Sequence, residues 1–201
     1  MQAFSRAVHF ASILLALAAF GCAPPAPAQD AGEPLILVAK PALRDALYGA
    51  TILVAKPVGN NQHLGFIVNK PTRVTLAKLF PEHMPSQKVA EPVFLGGPVN
   101  SETIFALVQR KDSPGSRSMQ ISPDLFLAHE RDVVDRIIET ESDHARFFAG
   151  LVLWRPGELD MEIKRGFWYV LDGETSLVLR KSTQGMWEEL VRRQQQKANM
   201  I

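Results

Sequence analysis

The sequence predicts an α+β domain. Short apolar runs rich in β-branched residues, each bounded by Pro or Gly, recur from Leu35 to Leu179 and read as strands. Amphipathic helical patterns fall between some of these runs and not others. Strands and helices therefore mix without the regular βαβ alternation that would announce a doubly wound parallel sheet.

The elements follow in order. Leu35-Ile36-Leu37-Val38-Ala39 and Thr51-Ile52-Leu53-Val54-Ala55 read as buried strands, and Gly65 to Lys70 as a third, ended by Pro71. The string Leu-Val-Ala-Lys-Pro occurs at Leu37 and again at Leu53, but its surroundings do not repeat, which excludes a repeat architecture. Leu76, Leu79 and Phe80 give one apolar face of a short helix, closed by Pro81 and Pro85. Val93-Phe94-Leu95 leads into Gly96-Gly97-Pro98-Val99-Asn100, a rigid turn chemistry, and Thr103 to Arg110 reads as a long strand.

Residues 111–118 carry Pro114 and Gly115 and read as a surface loop. Met119 to Ile121, a Ser122-Pro123-Asp124 break and a short strand at Leu125-Phe126-Leu127 come next. Val133, Val134, Ile137 and Ile138 stand opposite Asp132, Asp135, Arg136 and Glu139, an amphipathic helix. The unbroken apolar run Phe147 to Trp154 predicts a central strand. Pro156, with Glu158 and Asp160 close behind, opens a helix whose early carboxylates suit the macrodipole, and Gly166 ends it. Phe167 to Leu171 reads as a strand, Asp172-Gly173 as its turn and Leu177-Val178-Leu179 as its hairpin partner. Trp187, Leu190 and Val191 mark a final helix expected to fray into Gln194-Gln195-Gln196.

Residues 1–28 are set apart from the fold. Arg6, an apolar run from Ala7 to Gly21 and a Pro/Ala stretch ending Ala26-Pro27-Ala28 have the layout of an export signal. The run holds His9 and is shorter than the roughly 20 apolar residues a membrane span takes. Two processing routes fit: cleavage before Cys22 with acylation of that thiol, or cleavage after Ala28 to release a soluble chain. Cys22 is the single cysteine, so no intramolecular disulfide and no multi-cysteine metal site can form. The expected location is the periplasm, soluble or held to the membrane by lipid on Cys22, with residues 29–201 as one domain.

Lys and Arg total 22 and Asp and Glu 21, and Arg6 is the one charged group of the leader, so the remainder is neutral overall. A neutral chain lacks the basic face that phosphate contacts require, and an exported one does not meet chromosomal DNA. Arg192, Arg193 and Lys197 cluster where cations complement a helix C-terminus.

Taken together, Leu37 to Pro41, Leu64-Gly65-Phe66-Ile67-Val68-Asn69-Lys70-Pro71, Phe94-Leu95-Gly96-Gly97-Pro98-Val99, and Trp154 to Ile163 followed by Gly166-Phe167-Trp168 resemble the bacterial YqgE/AlgH family. Their order and spacing match over nearly the whole chain after the leader. The resemblance implies a bifurcated mixed sheet curled into a pseudo-barrel with helices outside, and it brings no established reaction. A transcriptional-regulator role suggested for the family would need a cytosolic start at a non-ATG codon, because no Met lies between Met1 and Met84.

The candidate cleft residues are Asn69, Lys70, Gly96, Gly97, Trp154 and Glu158. Gly96-Gly97-Pro98 could admit an anion to backbone N–H groups, but Pro98 removes a donor and a tight structural turn is the favoured reading of the motif. Trp154 and Trp168 flank the Glu158 helix and could line a pocket or simply pack in the core. No His-Glu-x-x-His, nucleophile elbow or phosphate loop is present, so no catalytic residue, metal or cofactor is assigned. The leading expectation is a non-enzymatic envelope protein that binds a protein or small-molecule partner. The alternative is a hydrolase with a site assembled from Asn69, His129 and Glu158.

Overall fold

The computed structural model describes residues 32–172 and 175–200. The leader, Cys22 and the Gly173 turn lie outside the described residues. Ten strands form the sheet: β1 (Leu35–Ala39), β2 (Ile52–Pro57), β3 (His63–Ile67), β4 (Pro71–Thr75), β5 (Pro92–Leu95), β6 (Val99–Gln109), β7 (Met119–Ser122), β8 (Leu125–Ala128), β9 (Ala145–Trp154) and β10 (Trp168–Asp172). Among the described residues four α-helices accompany them: α1 (Leu76–Leu79), α2 (Arg131–Thr140), α3 (Glu158–Lys164) and α4 (Met186–Ala198). The main path runs β10-β1-β2-β3-β9-β6-β8-β7, with β4 and β5 off it.

The sheet forks at β9. Its C-terminal half pairs antiparallel with β3, Gly65 opposite Val152 and His63 opposite Trp154. Its N-terminal half pairs in parallel with β5, Phe94 opposite Phe148 and Leu95 opposite Ala149. On its other side β9 pairs with β6, the ladder slipping between Val99 and Ile104. The result is the curled α+β half-barrel with flanking helices that the resemblance implies, and β9 is the central strand.

Alternation along each strand separates two surfaces. Ile36, Val38, Ile52, Val54, Phe105, Leu107, Leu125 and Leu127 point into the barrel, where Phe66, Phe94 and Phe148 stack at 5.3–5.9 Å between ring centroids. Met186, Leu190 and Val191 of α4 cover this concave side, and Trp187 Nε1 donates to the Ala39 carbonyl at 2.8 Å. The intervening residues face outward. Leu37, Ala39, Leu53, Ala55, Val152, Trp154 and Trp168 pack under α3, while Ala106, Val108, Phe126 and Phe147 pack under α2.

Gly96, Gly97 and Gly150 occupy the fork. A Cβ on Gly96 would lie 2.1 Å from the Gly150 carbonyl oxygen, and one on Gly97 would lie 2.3 Å from the Leu151 carbonyl. Gly150 itself has φ 72°, a left-handed value that a side chain would strain. The Gly96 N–H donates to the Ala149 carbonyl and its own carbonyl accepts from the Ile67 N–H, so this one residue, directly after β5, ties β9 and β3 together.

Several elements depart from the sequence expectation. β3 runs from His63 to Ile67 and stops short of Pro71, which instead opens an edge strand, β4, that needs no inward N–H at that position. Val99 and Asn100, expected in a turn, begin β6, because the β9 ladder extends past the fork. The final helix continues through Gln194-Gln195-Gln196 to Ala198. Leu177-Val178-Leu179 is not the hairpin partner of β10 but part of a 3-10 turn, Thr175–Leu179; β10 instead pairs with β1, Ile36 opposite Leu171 and Val38 opposite Tyr169. The guanidinium of Arg146, 2% exposed, holds that turn through the Val178 carbonyl at 2.6 Å and the Arg180 carbonyl at 2.5 Å. It also stacks 4.4 Å over the Phe94 ring, with Glu91 3.9 Å from Nε.

Candidate functional site

Asn69 and Lys70 follow β3 and both reach across to the segment before β2. Asn69 Oδ1 accepts from the Ile52 N–H at 2.8 Å while its Nδ2 donates to the Ala50 carbonyl at 3.0 Å. Lys70 Nζ donates to the Leu47 carbonyl at 2.6 Å. Burial pulls the Lys70 ammonium below its ordinary pKa, and the Asp45 carboxylate opposes that pull. Asp45 in turn accepts from the N–H groups of Tyr48 and Leu47, each at 2.8 Å, and these bonds hold its carboxyl below the usual range.

On the other side of this segment stands α3. Glu162 Oε2 accepts from the indole N–H of Trp154 at 3.0 Å and from that of Trp168 at 2.9 Å. One carboxylate oxygen thus anchors the ends of β9 and β10 to the helix. The Tyr48 ring meets Trp168 edge-on with centroids 6.4 Å apart. Burial raises the Tyr48 hydroxyl's pKa, and the charges of Glu162, Asp45 and Glu158 raise it further. Glu158 Oε2 accepts from the Arg155 N–H at 2.8 Å, closing the first turn of its own helix.

Of the sequence candidates, Lys70 and Asn69 secure the segment before β2, Trp154 belongs to the outer core cluster against which Tyr48 packs, and Glu158 acts on Tyr48 through its charge. Gly96 and Gly97 are buried at the fork, where the close approach of three backbones needs residues without a Cβ. The hydrolase set does not share a contact: Asn69 is bound to Ala50 and Ile52, and Glu158 to Arg155. His129 lies past β8, its ring tilted against that of Phe105 at 6.4 Å, with Nδ1 3.9 Å from Glu130. Among the described residues no group of His, Cys, Asp or Glu is placed to hold a metal ion.

Three features escaped the sequence reading. His83 Nδ1 lies 2.8 Å from Ser86 Oγ, and its Nε2 lies 3.7 Å from Glu139 on α2. The order is that of a nucleophile, base and acid, yet Ser86 is 0% exposed, so no substrate carbonyl reaches its oxygen. The trio pins the 3-10 turn Met84–Lys88 to α2; only the His83-x-x-Ser86 spacing could have hinted at it. His63 is buried opposite Trp154, with Nδ1 unpartnered, and burial lowers its pKa against the pull of Asp160. Arg146 stood just before the predicted Phe147–Trp154 strand with no sequence signal of its partners, which are backbone carbonyls.

A forked half-barrel, three glycines at the fork and an acidic helix clamped by two indoles define a class of small α+β protein built around rigid backbone geometry. The AlgH-like family profile matches residues 36–199, and the chain belongs to that family. It is 28% identical over 160 residues to a UPF0301 protein of Chlorobaculum tepidum, covering 78% of this chain and 83% of that one. A UPF0301 protein of Chlorobium luteolum is 29% identical over 160 residues, with 78% and 82% covered. Among solved structures, the crystal structure of a Corynebacterium diphtheriae protein superposes with a TM-score of 0.65 at 22% identity, covering 80% of this chain and 86% of that one. The solution structure of the AlgH protein from Pseudomonas aeruginosa gives 0.60 at 18% identity, with 73% and 79% covered. These structures share the fold; the function of the family is uncharacterised.

Proposed function

We propose that this AlgH-like chain works in the bacterial envelope, soluble or tethered through Cys22, and that it acts by binding a partner rather than by catalysing a reaction. The observation that carries the reading is how the polar groups around Tyr48 are used. Asn69, Lys70, Asp45, Glu158 and Glu162 each bond a backbone group or an indole of their own chain. Groups committed in this way make a stiff surface, whereas a catalytic site keeps a nucleophile and a base free to meet substrate. The leader pattern before residue 29 supports the envelope address.

The test is the intact mass and membrane partitioning of the protein expressed with its own N-terminus in a Gram-negative host, beside Cys22→Ala. A mass starting at Cys22 plus acyl chains, with membrane association lost in the variant, supports the tethered form, and a mass starting at Gln29 in the periplasmic fraction supports the released form. An uncleaved product in the cytosol overturns the reading and favours the regulator role.

A further inference from the structure

The strand expected to cover β10 does not do so. Leu177-Val178-Leu179 turns inward as a 3-10 turn, and β10 remains the last strand on its side of the sheet. Which of its peptides face outward follows from the ladder. The Lys40 N–H donates to the Phe167 carbonyl at 2.9 Å, so 40 and 167 form a hydrogen-bonded pair. Antiparallel pairs alternate, which makes 38 with 169 and 36 with 171 the next bonded pairs. Trp168, Val170 and Asp172 therefore send their N–H and C=O groups away from β1. Among the described residues, no hydrogen bond takes up the outward N–H or C=O of Trp168 or Val170.

Natural sheets blunt such an edge with Pro, an inward charge, a bulge or a covering segment. β10 reads Trp-Tyr-Val-Leu-Asp, and its register against β1 is unbroken. Val170 is 38% exposed on the convex face. Near the strand's N-terminal end the Glu162 carboxylate is spent on the two indoles, and the cations there are not paired with it. Lys40 Nζ sits 5.0 Å over the Tyr169 ring, and neither Lys40 nor Lys164 nor Arg165, at the end of α3, forms an ion pair among the described residues.

We propose that β10 is a docking edge for an extended acidic peptide segment, which adds as a further strand. Main-chain bonds to Trp168 and Val170 supply affinity; an apolar side chain beside Val170 and a carboxylate beside Lys40, on alternate faces, supply specificity. The inference goes beyond the envelope reading and does not depend on the address of the protein.

The experiment is fluorescence anisotropy of a fluorescein-labelled peptide alternating Val and Glu, titrated with the full chain and with Val170→Pro. Proline at this position removes an outward N–H and leaves the β1 ladder intact. The expected result is saturable binding, weakened at least tenfold by Val170→Pro, by Lys40→Glu, by N-methylation of alternate peptide residues and by replacing Glu with Lys in the peptide. Circular dichroism of each variant separates lost binding from lost fold, and Lys40→Glu remains as the test should Val170→Pro misfold. Absence of binding to the wild-type chain overturns the proposal, as does binding indifferent to these changes. Self-association abolished by Val170→Pro, without peptide binding, assigns the edge to a second copy and overturns it as well.

Discussion

Replacing Glu162 tests whether the indole clamp holds the candidate region together. Trp154 and Trp168 are 4% and 5% exposed, and both direct their N–H at the same oxygen of Glu162. In Glu162→Leu neither donor keeps its acceptor, and each buried donor left unmet costs about 1–3 kcal/mol. The gross penalty is about 2–6 kcal/mol, offset in part because Leu is cheaper than a carboxylate to desolvate, so about 2–4 kcal/mol is expected net. Glu162→Gln retains an oxygen in the same place and loses only the charge assistance, for about 1 kcal/mol, since charge-assisted bonds are roughly twice as strong as neutral ones. Urea unfolding followed by tryptophan emission reads both values, and Trp154 and Trp168 are themselves reporters of the site. A Glu162→Leu midpoint that matches the wild type would refute the clamp. A Glu162→Gln variant as damaged as Glu162→Leu would refute the assignment of the effect to the lost acceptor.

Gly96→Ala forces a Cβ to within 2.1 Å of the Gly150 carbonyl, so the fork must open; a loss of at least about 3 kcal/mol or an insoluble product is expected in denaturant melts. The buried His63 binds its proton less readily in the folded chain than at its ordinary value of 6.5. The unfolded state then carries more protons below that value, so stability present above about pH 6.5 falls as pH drops, and His63→Leu should flatten the slope in melts from pH 7.5 to 5. Arg146→Met leaves the Val178 and Arg180 carbonyls without their donor, and about 3 kcal/mol is expected, with faster amide exchange confined first to residues 175–180.

Most of the β framework was legible because its signal is local. Ile36 and Val38 point one way and Leu37 and Ala39 the other, and a run buried on both faces announces itself by composition alone. The helices α2 and α3 were equally plain, from the Val133 to Ile138 stripe and from Pro156 with its following carboxylates. What was not legible is non-local. The role of Gly96-Gly97 depends on Gly150, far along the chain, and the bonds of Asn69 and Lys70 run to backbone N–H and C=O groups that carry no side-chain signature. Trp154 and Trp168 are tied together by Glu162, which was read only as one more carboxylate near a helix start. Its two indole partners are set by the ends of β9 and β10 meeting beside α3, which no spacing rule encodes.

The misread hairpin shows how a tertiary contact overrides a correct local pattern. Leu177-Val178-Leu179 has strand composition, and Asp172-Gly173 before it is good turn chemistry. As a strand, however, the segment would alternate and turn one or two of its apolar side chains to solvent. As a 3-10 turn it places Val178 at 0% exposure while Leu177 and Leu179 still pack against the barrel core. Carbonyls at and just past the turn then need donors, and Arg146 supplies them, which accounts for a guanidinium buried near the start of the hydrophobic strand β9. The two oddities explain each other: the buried cation is tolerated because the turn spends its hydrogen bonds, and the turn persists because the cation is there. Their joint consequence is that β10 pairs on one side only, with β1, so the open edge of this sheet is a product of its core.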